Sequence, residues 1–188
     1  SDRNLTDKMI STVCVDQTGK LWVGTDKGDI NVFEKGKRQT VYGKESGDLN
    51  GSPVQASLCD SEGNLWFGLF NGGVYHYNKS TRKFRQLFPQ DETIIDGRAF
   101  YEDKDHVIWI GTHAGVYKAD LSGRVSAKPC IEYEQVRSIL RDEQGAFWIG
   151  TFGGGVLVYS SDFKLKKHFY TQEQFPSNTV SAIYMDRK

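Results

Sequence analysis

The chain has 188 residues, with 24 Lys+Arg against 24 Asp+Glu and a formal net charge of zero. A balanced charge argues against binding to nucleic acid or an anionic membrane surface by charge neutralisation, and there is no apolar run of the ~18 residues that a membrane helix needs. At 38% hydrophobic and 13% aromatic residues, with a mean hydropathy of -0.53, the composition is that of a soluble globular domain and not of a disordered chain.

From the N-terminus, Ser1 to Asp7 is polar and lacks the basic and then apolar pattern of a secretion signal. A strand is expected at Ile10–Val15, followed by a tight Asp16-x-x-Gly19 turn. Aspartate opens such a turn by accepting backbone N–H groups ahead of it, and glycine supplies the positive φ. A second strand carries Leu21-Trp22-Val23-Gly24-Thr25; a third, Ile30–Phe33, follows Gly28, and a fourth, Lys37–Tyr42, is basic.

The same order then returns. First strands are expected at Val54–Cys59, Arg98–Glu102 and Val136–Arg141, and the Trp motif recurs around Trp66, Trp109 and Trp148. Third strands fall at Val74–Tyr77, Val116–Lys118 and Val156–Tyr159, and basic fourth strands at Lys83–Phe88 and Leu165–Tyr170. Aspartates Asp16, Asp60, Asp103 and Asp142 precede each Trp by one fixed spacing, and Gly28, Gly72, Gly115 and Gly154 follow it by the same spacing. A period of about 40–45 residues with three landmarks in register is the signature of repeated blades. A fifth copy starts at Val180-Ser181-Ala182-Ile183-Tyr184-Met185-Asp186.

Four short antiparallel strands per repeat, apolar on both faces, imply an all-β fold: a β-propeller fragment of four four-stranded blades plus the first strand of a fifth. The blades are expected at about 9–51, 52–95, 96–133 and 134–177, with the next beginning at 178–188. The basic fourth strands read as outer edges, where lysine discourages further strand pairing. In the third repeat His106 stands where the turn glycine is expected, and histidine tolerates that backbone.

These residues resemble the two-component regulator propeller repeat: a strand ending in Asp, then x-x-Gly-x-(Leu/Ile)-Trp-(Ile/Val)-Gly-Thr, then a Gly-(Val/Ile) strand. The resemblance covers about residues 9–188, with Leu69 in place of Thr and His106 in place of Gly as departures. Such repeats fill the periplasmic sensor regions of bacterial histidine kinases, notably hybrid two-component systems of Bacteroidetes that respond to glycans. The resemblance implies a periplasmic, non-enzymatic, ligand-sensing segment whose partners are an oligosaccharide or other small ligand and the rest of a sensor chain. A closed four-bladed ring would leave the fifth first strand surplus, so the chain reads better as a piece of a longer propeller, of about seven or eight blades. Exposed faces on the first and last blades would favour self-association, which a strictly monomeric result in sedimentation at high micromolar concentration would exclude.

For the site, the loops between second and third strands share one end of each blade with the longer links Gly43–Pro53, Pro89–Gly97, Lys128–Gln135 and Thr171–Thr179. Binding residues concentrate on loops held by a rigid scaffold. The position two after each motif glycine varies, as Asp26, Phe70, His113 and Phe152, which frees it from scaffold duty. Together with Asn71, these residues offer rings to stack on sugar faces and polar groups for hydroxyls; ordinary turn residues are the plainer reading. Asp103, Asp105 and His106 form a D-x-D-H cluster, but in the recurring turn, and Gly150–Gly155 lacks the Lys and Ser/Thr of a phosphate loop. Cys14, Cys59 and Cys130 have no C-x-x-C spacing and read as small buried residues. No catalytic residue, metal or cofactor is expected. Two other classes stay open: an enzyme similar to the streptogramin-inactivating lyases, and a protein-interaction propeller without a small ligand.

Overall fold

The structure, a computed structural model, describes residues 4–88, 95–132, 135–170 and 177–186. Parts of the links Pro89–Gly97, Lys128–Gln135 and Thr171–Thr179, and the last two residues of the expected next blade at 178–188, lie outside the described residues. The described residues form fifteen strands and no helix. β1 (Ile10–Val15), β2 (Leu21–Thr25), β3 (Ile30–Glu34) and β4 (Lys37–Tyr42) pair in sequence order. β5 (Val54–Cys59), β6 (Leu65–Leu69), β7 (Gly73–Asn78) and β8 (Lys83–Leu87) form a second sheet of the same order. The third repeat gives β9 (Gly97–Glu102), β10 (Ile108–Thr112) and β11 (Gly115–Ala119), and the fourth gives β12 (Val136–Arg141), β13 (Phe147–Thr151), β14 (Val156–Tyr159) and β15 (Leu165–Phe169).

This is an all-β propeller fragment, one antiparallel blade to each repeat. In the third blade the outer position is filled by residues 125–131, which meet β11 at two isolated bridges, Ala119 with Val125 and Val116 with Ile131. Pro129 lies in that stretch and has no N–H to give to a ladder. Residues 177–186, where the first strand of a fifth blade is expected, dock on the fourth blade, with Val180 N–H donating to Thr151 O at 2.9 Å, but form no strand of their own.

The chain divides into two compact units, residues 1–97 with 121–124, and residues 98–120 with 125–188. In the first, Trp22 and Val32 of one sheet pack with Leu65, Phe67, Tyr75 and Tyr77 of the next. In the second, Trp109 packs edge-on against Phe147, ring centroids 4.6 Å apart, within a cluster that includes Val136, Ile149 and Leu157. The second strands β6 and β10 are covered on both faces, as their apolar runs predict. The basic outer strands β4, β8 and β15 are largely exposed, as edges should be. The first inner strand is open as well: Ile10, Val13 and Val15 are 49%, 58% and 58% exposed. The three cysteines are free and half-buried; burial pushes the Cys14 thiol up to about 11.

Two contacts explain the fixed landmarks. Each Trp indole N–H donates to the aspartate six residues before it: Trp22 to Asp16 at 2.8 Å, Trp66 to Asp60 at 2.9 Å, and Trp109 to Asp103 and Trp148 to Asp142 at 2.8 Å each. The other carboxylate oxygen accepts backbone N–H groups of the turn, such as Lys20 at 3.1 Å, Asn64 at 2.8 Å, Val107 at 3.0 Å and Ala146 at 2.8 Å. One carboxylate therefore closes the turn and orients the ring. His106 adopts φ 59 and donates its N–H to Asp103 O at 3.0 Å, so the third turn keeps the geometry of the others.

The motif glycine makes room for the following inner strand. A β-carbon on Gly24 would lie 2.6 Å from Val54 Cγ1, one on Gly111 2.6 Å from Val136 Cγ1, and one on Gly150 2.8 Å from Val180 Cγ1. On Gly68 it would fall on the backbone carbonyl of Gly97.

The clamp predicts acid lability. Burial pushes the Asp103 carboxyl up, but hydrogen bonds from Trp109, Val107, Arg141 and Asp105 together outweigh it and hold the group below its ordinary value; Asp16 is lowered in the same way. A carboxylate depressed in the folded state stabilises the fold above its unfolded value of about 3.9, and that contribution fades as pH falls through the folded value. Urea melts should therefore lose midpoint steeply below about pH 4, and less steeply in Asp103→Asn. Equal slopes for the two proteins would count against the clamp.

Candidate functional site

The expected site residues lie where the loops were placed, divided between the two units. In the first, Asp26 is exposed and its N–H donates to Met9 O at 3.0 Å. Phe70 is 44% exposed, with its N–H on Pro53 O at 2.8 Å, and the adjacent Asn71 takes φ 48. The residues just before the inner strands β1 and β5 thus hold these loops by backbone bonds, leaving the side chains at the surface.

In the second unit, two expected residues converge on one link residue. Gln135 donates its N–H to His113 O at 3.2 Å and accepts from Phe152 N–H at 2.9 Å, with its own backbone at φ 65. Next to it opens a cleft of about 880 Å³ lined by Tyr117, Pro129, Glu132, Gln135, Phe152 and Gly153 among others. Phe152 is 54% exposed. A cleft with two aromatic side chains and an amide can stack on an apolar face of a ligand while bonding its polar groups. His113 borders this place through its carbonyl.

Sequence reasoning missed the second residue of each inner strand, which is Ser11, Gln55, Arg98 and Arg137 in the four repeats. In β1, β5 and β12 the ladder register skips this residue, between Ile10 and Thr12, Val54 and Ala56, and Val136 and Ser138. A bulge there re-aims the side chain. The Arg137 guanidinium carbon sits 5.2 Å from the Phe152 ring centroid, and Arg98 Nη1 donates to Gln135 Oε1. Burial, and then the positive charge of Arg98, hold the Arg137 guanidinium below its ordinary value. The signal was available: this position varies across the repeats, the same criterion that selected Asp26, Phe70, His113 and Phe152.

Two other clefts lie at the opposite ends of the strands, by the Asp turns. One, of about 300 Å³, includes Asp16, Lys20, Trp22, Tyr42, Tyr77 and Arg82. The other, of about 520 Å³, includes Tyr101, Asp103, Asp105, Arg141 and Glu143. Their acids serve the scaffold: Asp16 holds Trp22, and Asp103 Oδ2 accepts both Trp109 and Arg141 Nη1, the latter at 2.7 Å. His106 Nδ1 lies 2.9 Å from Glu102 Oε1, so the D-x-D-H run is spent on turn and side-chain contacts. No group of three or more His, Cys, Asp or Glu placed to hold a metal ion occurs among the described residues.

Four segments, residues 4–27, 48–71, 91–114 and 131–153, match the family described as two component regulator propeller. The chain is 26% identical over 200 residues to Histidine kinase P4 of Formosa agariphila, an alignment covering 95% of this chain and 14% of that protein. It is 45% identical, at a TM-score of 0.85, to the extracellular domain of a putative hybrid two component system from B. thetaiotaomicron, covering 98% of this chain and 25% of that one. Virginiamycin B lyase of Staphylococcus aureus shares the fold, with a TM-score of 0.66 at 16% identity over 87% of this chain and 57% of the lyase. The chain thus spans about a quarter or less of the length of its sensor relatives.

Proposed function

The chain belongs to the two component regulator propeller family, and we propose that it is a ligand-sensing segment of a two-component sensor histidine kinase. Its place is extracytoplasmic, in the periplasm, and its ligand is an oligosaccharide. The relatives support the sensor role: one is a histidine kinase, and the other is the extracellular part of a hybrid two component system. The observation that carries ligand binding is the cleft beside Phe152, Tyr117 and Gln135, where rings and an amide meet at the end of a rigid blade. Signalling then requires that the ligand bind one arrangement of the sensor better than another, and the rest of the sensor chain is the partner that reads the difference.

The segment itself is proposed to be non-catalytic. The lyase likeness is one of fold. Among the described residues that line the cleft, Glu132 is the single carboxylic acid, beside the tyrosine Tyr117, and no histidine, serine or cysteine lines it. Neither a carboxylate pair nor a nucleophile with its base is found among them.

Calorimetric titration of the chain with a panel of oligosaccharides tests the proposal. Phe152→Ala should weaken the bound member by roughly fivefold, as expected for about 1 kcal/mol of lost ring contact. Binding indifferent to Phe152, a panel without a single binder, or turnover of any sugar by the chain would overturn it.

A further inference from the structure

We propose that Arg98 and Arg137 form an anion-recognition site at the ligand end of the second unit, and that the oligosaccharide carries a sulfate or carboxylate there. The inference rests on the oligosaccharide reading above and adds the charge of the ligand. Both arginines stand at the second position of an inner strand. In β12 the ladder steps over Arg137, turning its side chain out of the regular alternation.

The blade does not need arginine at this position. The equivalent residues are Ser11 and Gln55, in sheets of the same strand order. The repeat thus supplies its own control: the scaffold folds around a small hydroxyl or an amide, and only the third and fourth copies place a guanidinium. Two neighbouring cations that cannot shed their protons repel each other, the more so as burial strips their water. An anion between them relieves both costs, because a guanidinium fork matches the oxygens of a carboxylate or sulfate in two parallel hydrogen bonds.

The contacts around Arg137 leave that role open. Its Nε is shielded from solvent without a hydrogen-bond partner. Among the described residues no carboxylate pairs with it, including Glu132, which lines the adjacent cleft. Its remaining support is the Phe152 ring, whose face attracts a cation and fixes the guanidinium plane beside the cleft. Arg98 is held on Gln135, the same residue that ties the His113 and Phe152 loops together. The ring that stacks on a sugar and the cations that would take its acidic substituent are therefore one contiguous group.

The test is calorimetry with four probes: a neutral disaccharide, its sulfated form, a uronate disaccharide and inorganic sulfate. The proteins are the parent chain, Arg137→Gln, Arg137→Lys and Arg98→Gln. Gln55 already occupies the equivalent position, so the Gln variants should keep the parent melting profile, and circular dichroism checks this. The sulfated or uronate sugar should bind at least about tenfold tighter than the neutral one, with an affinity that falls as salt rises. Arg137→Gln should abolish that preference, while Arg137→Lys, which keeps the charge but not the fork, should retain part of it. Neutral and acidic sugars bound alike, with the Gln variants unchanged, would overturn the anion site and leave the oligosaccharide reading standing. Arginine-dependent binding of inorganic sulfate with no sugar bound would support the anion site and overturn the oligosaccharide reading. Failure of all four probes would overturn both.

Discussion

Asp60→Ala is expected to destabilise the chain by about 3–5 kcal/mol in chemical denaturation. Asp60 is 2% exposed, and its carboxylate accepts Trp66 Nε1 at 2.9 Å, Asn64 N–H at 2.8 Å and Glu62 N–H at 3.1 Å. Hydrogen bonds to a charged acceptor contribute about 1.5–3 kcal/mol, and leaving the fully buried indole N–H without a partner costs about 1–3 more. Asp16 makes the same bonds at a half-exposed turn, where water can replace them. Asp16→Ala should therefore cost about 1–2 kcal/mol. A double-mutant cycle isolates the indole bond: in a Trp66→Phe background, Asp60→Ala should cost measurably less. Additive losses would mean that the fixed Asp-to-Trp spacing serves the turn alone.

Gly68→Ala should cost about 3 kcal/mol, the upper end for overpacking a core. The added carbon would fall on the Gly97 carbonyl and lie 2.8 Å from Gly97 Cα, and backbone has no rotamer by which to withdraw. Gly111→Ala makes the useful contrast, because its nearest neighbour is the Val136 Cγ1 methyl at 2.6 Å. A valine side chain can turn or lean, so about 1–2 kcal/mol is expected there. Thermal melts of the two variants check the order; a Gly111 variant as unstable as the Gly68 variant would show that the inner strand cannot give at either site.

These two contacts also show why the fold was so legible. Asp, Trp and the motif Gly recur at fixed spacing because in every repeat the aspartate accepts the indole N–H and the glycine makes room for the chain that follows, so a sequence pattern recorded a three-dimensional one. The turn at His106 was readable for the same reason, since the backbone geometry outlasts the change of residue. What the pattern could not show was the second duty of the aspartate, because turn chemistry alone already accounts for its presence. Nor could it show the weak outer edge of the third blade, where Pro129 and two isolated bridges replace a ladder.

The site was only half legible. Variation at a fixed repeat position led to Phe152 and His113, which the link residue Gln135 brings together. The same criterion applied to the inner strands would have led to Arg98 and Arg137. It was missed because a strand read as regular alternation assigns its second residue to a face, whereas the bulge frees that residue from the alternation. Asp26, Phe70 and Asn71 belong to the other unit, where the Met9 and Pro53 carbonyls hold the Asp26 and Phe70 loops.

The most direct measurement of the division between scaffold and ligand positions is amide shift mapping on the isotope-labelled chain during titration with the sulfated disaccharide. Shifts should concentrate at Ala114, Gln135, Phe152 and Gly153 and on the arginine side chains of Arg98 and Arg137, with the four indole N–H signals unmoved. Shifts centred instead on the turn clefts around Asp16 or Asp103, with the Phe152 loop silent, would contradict that division.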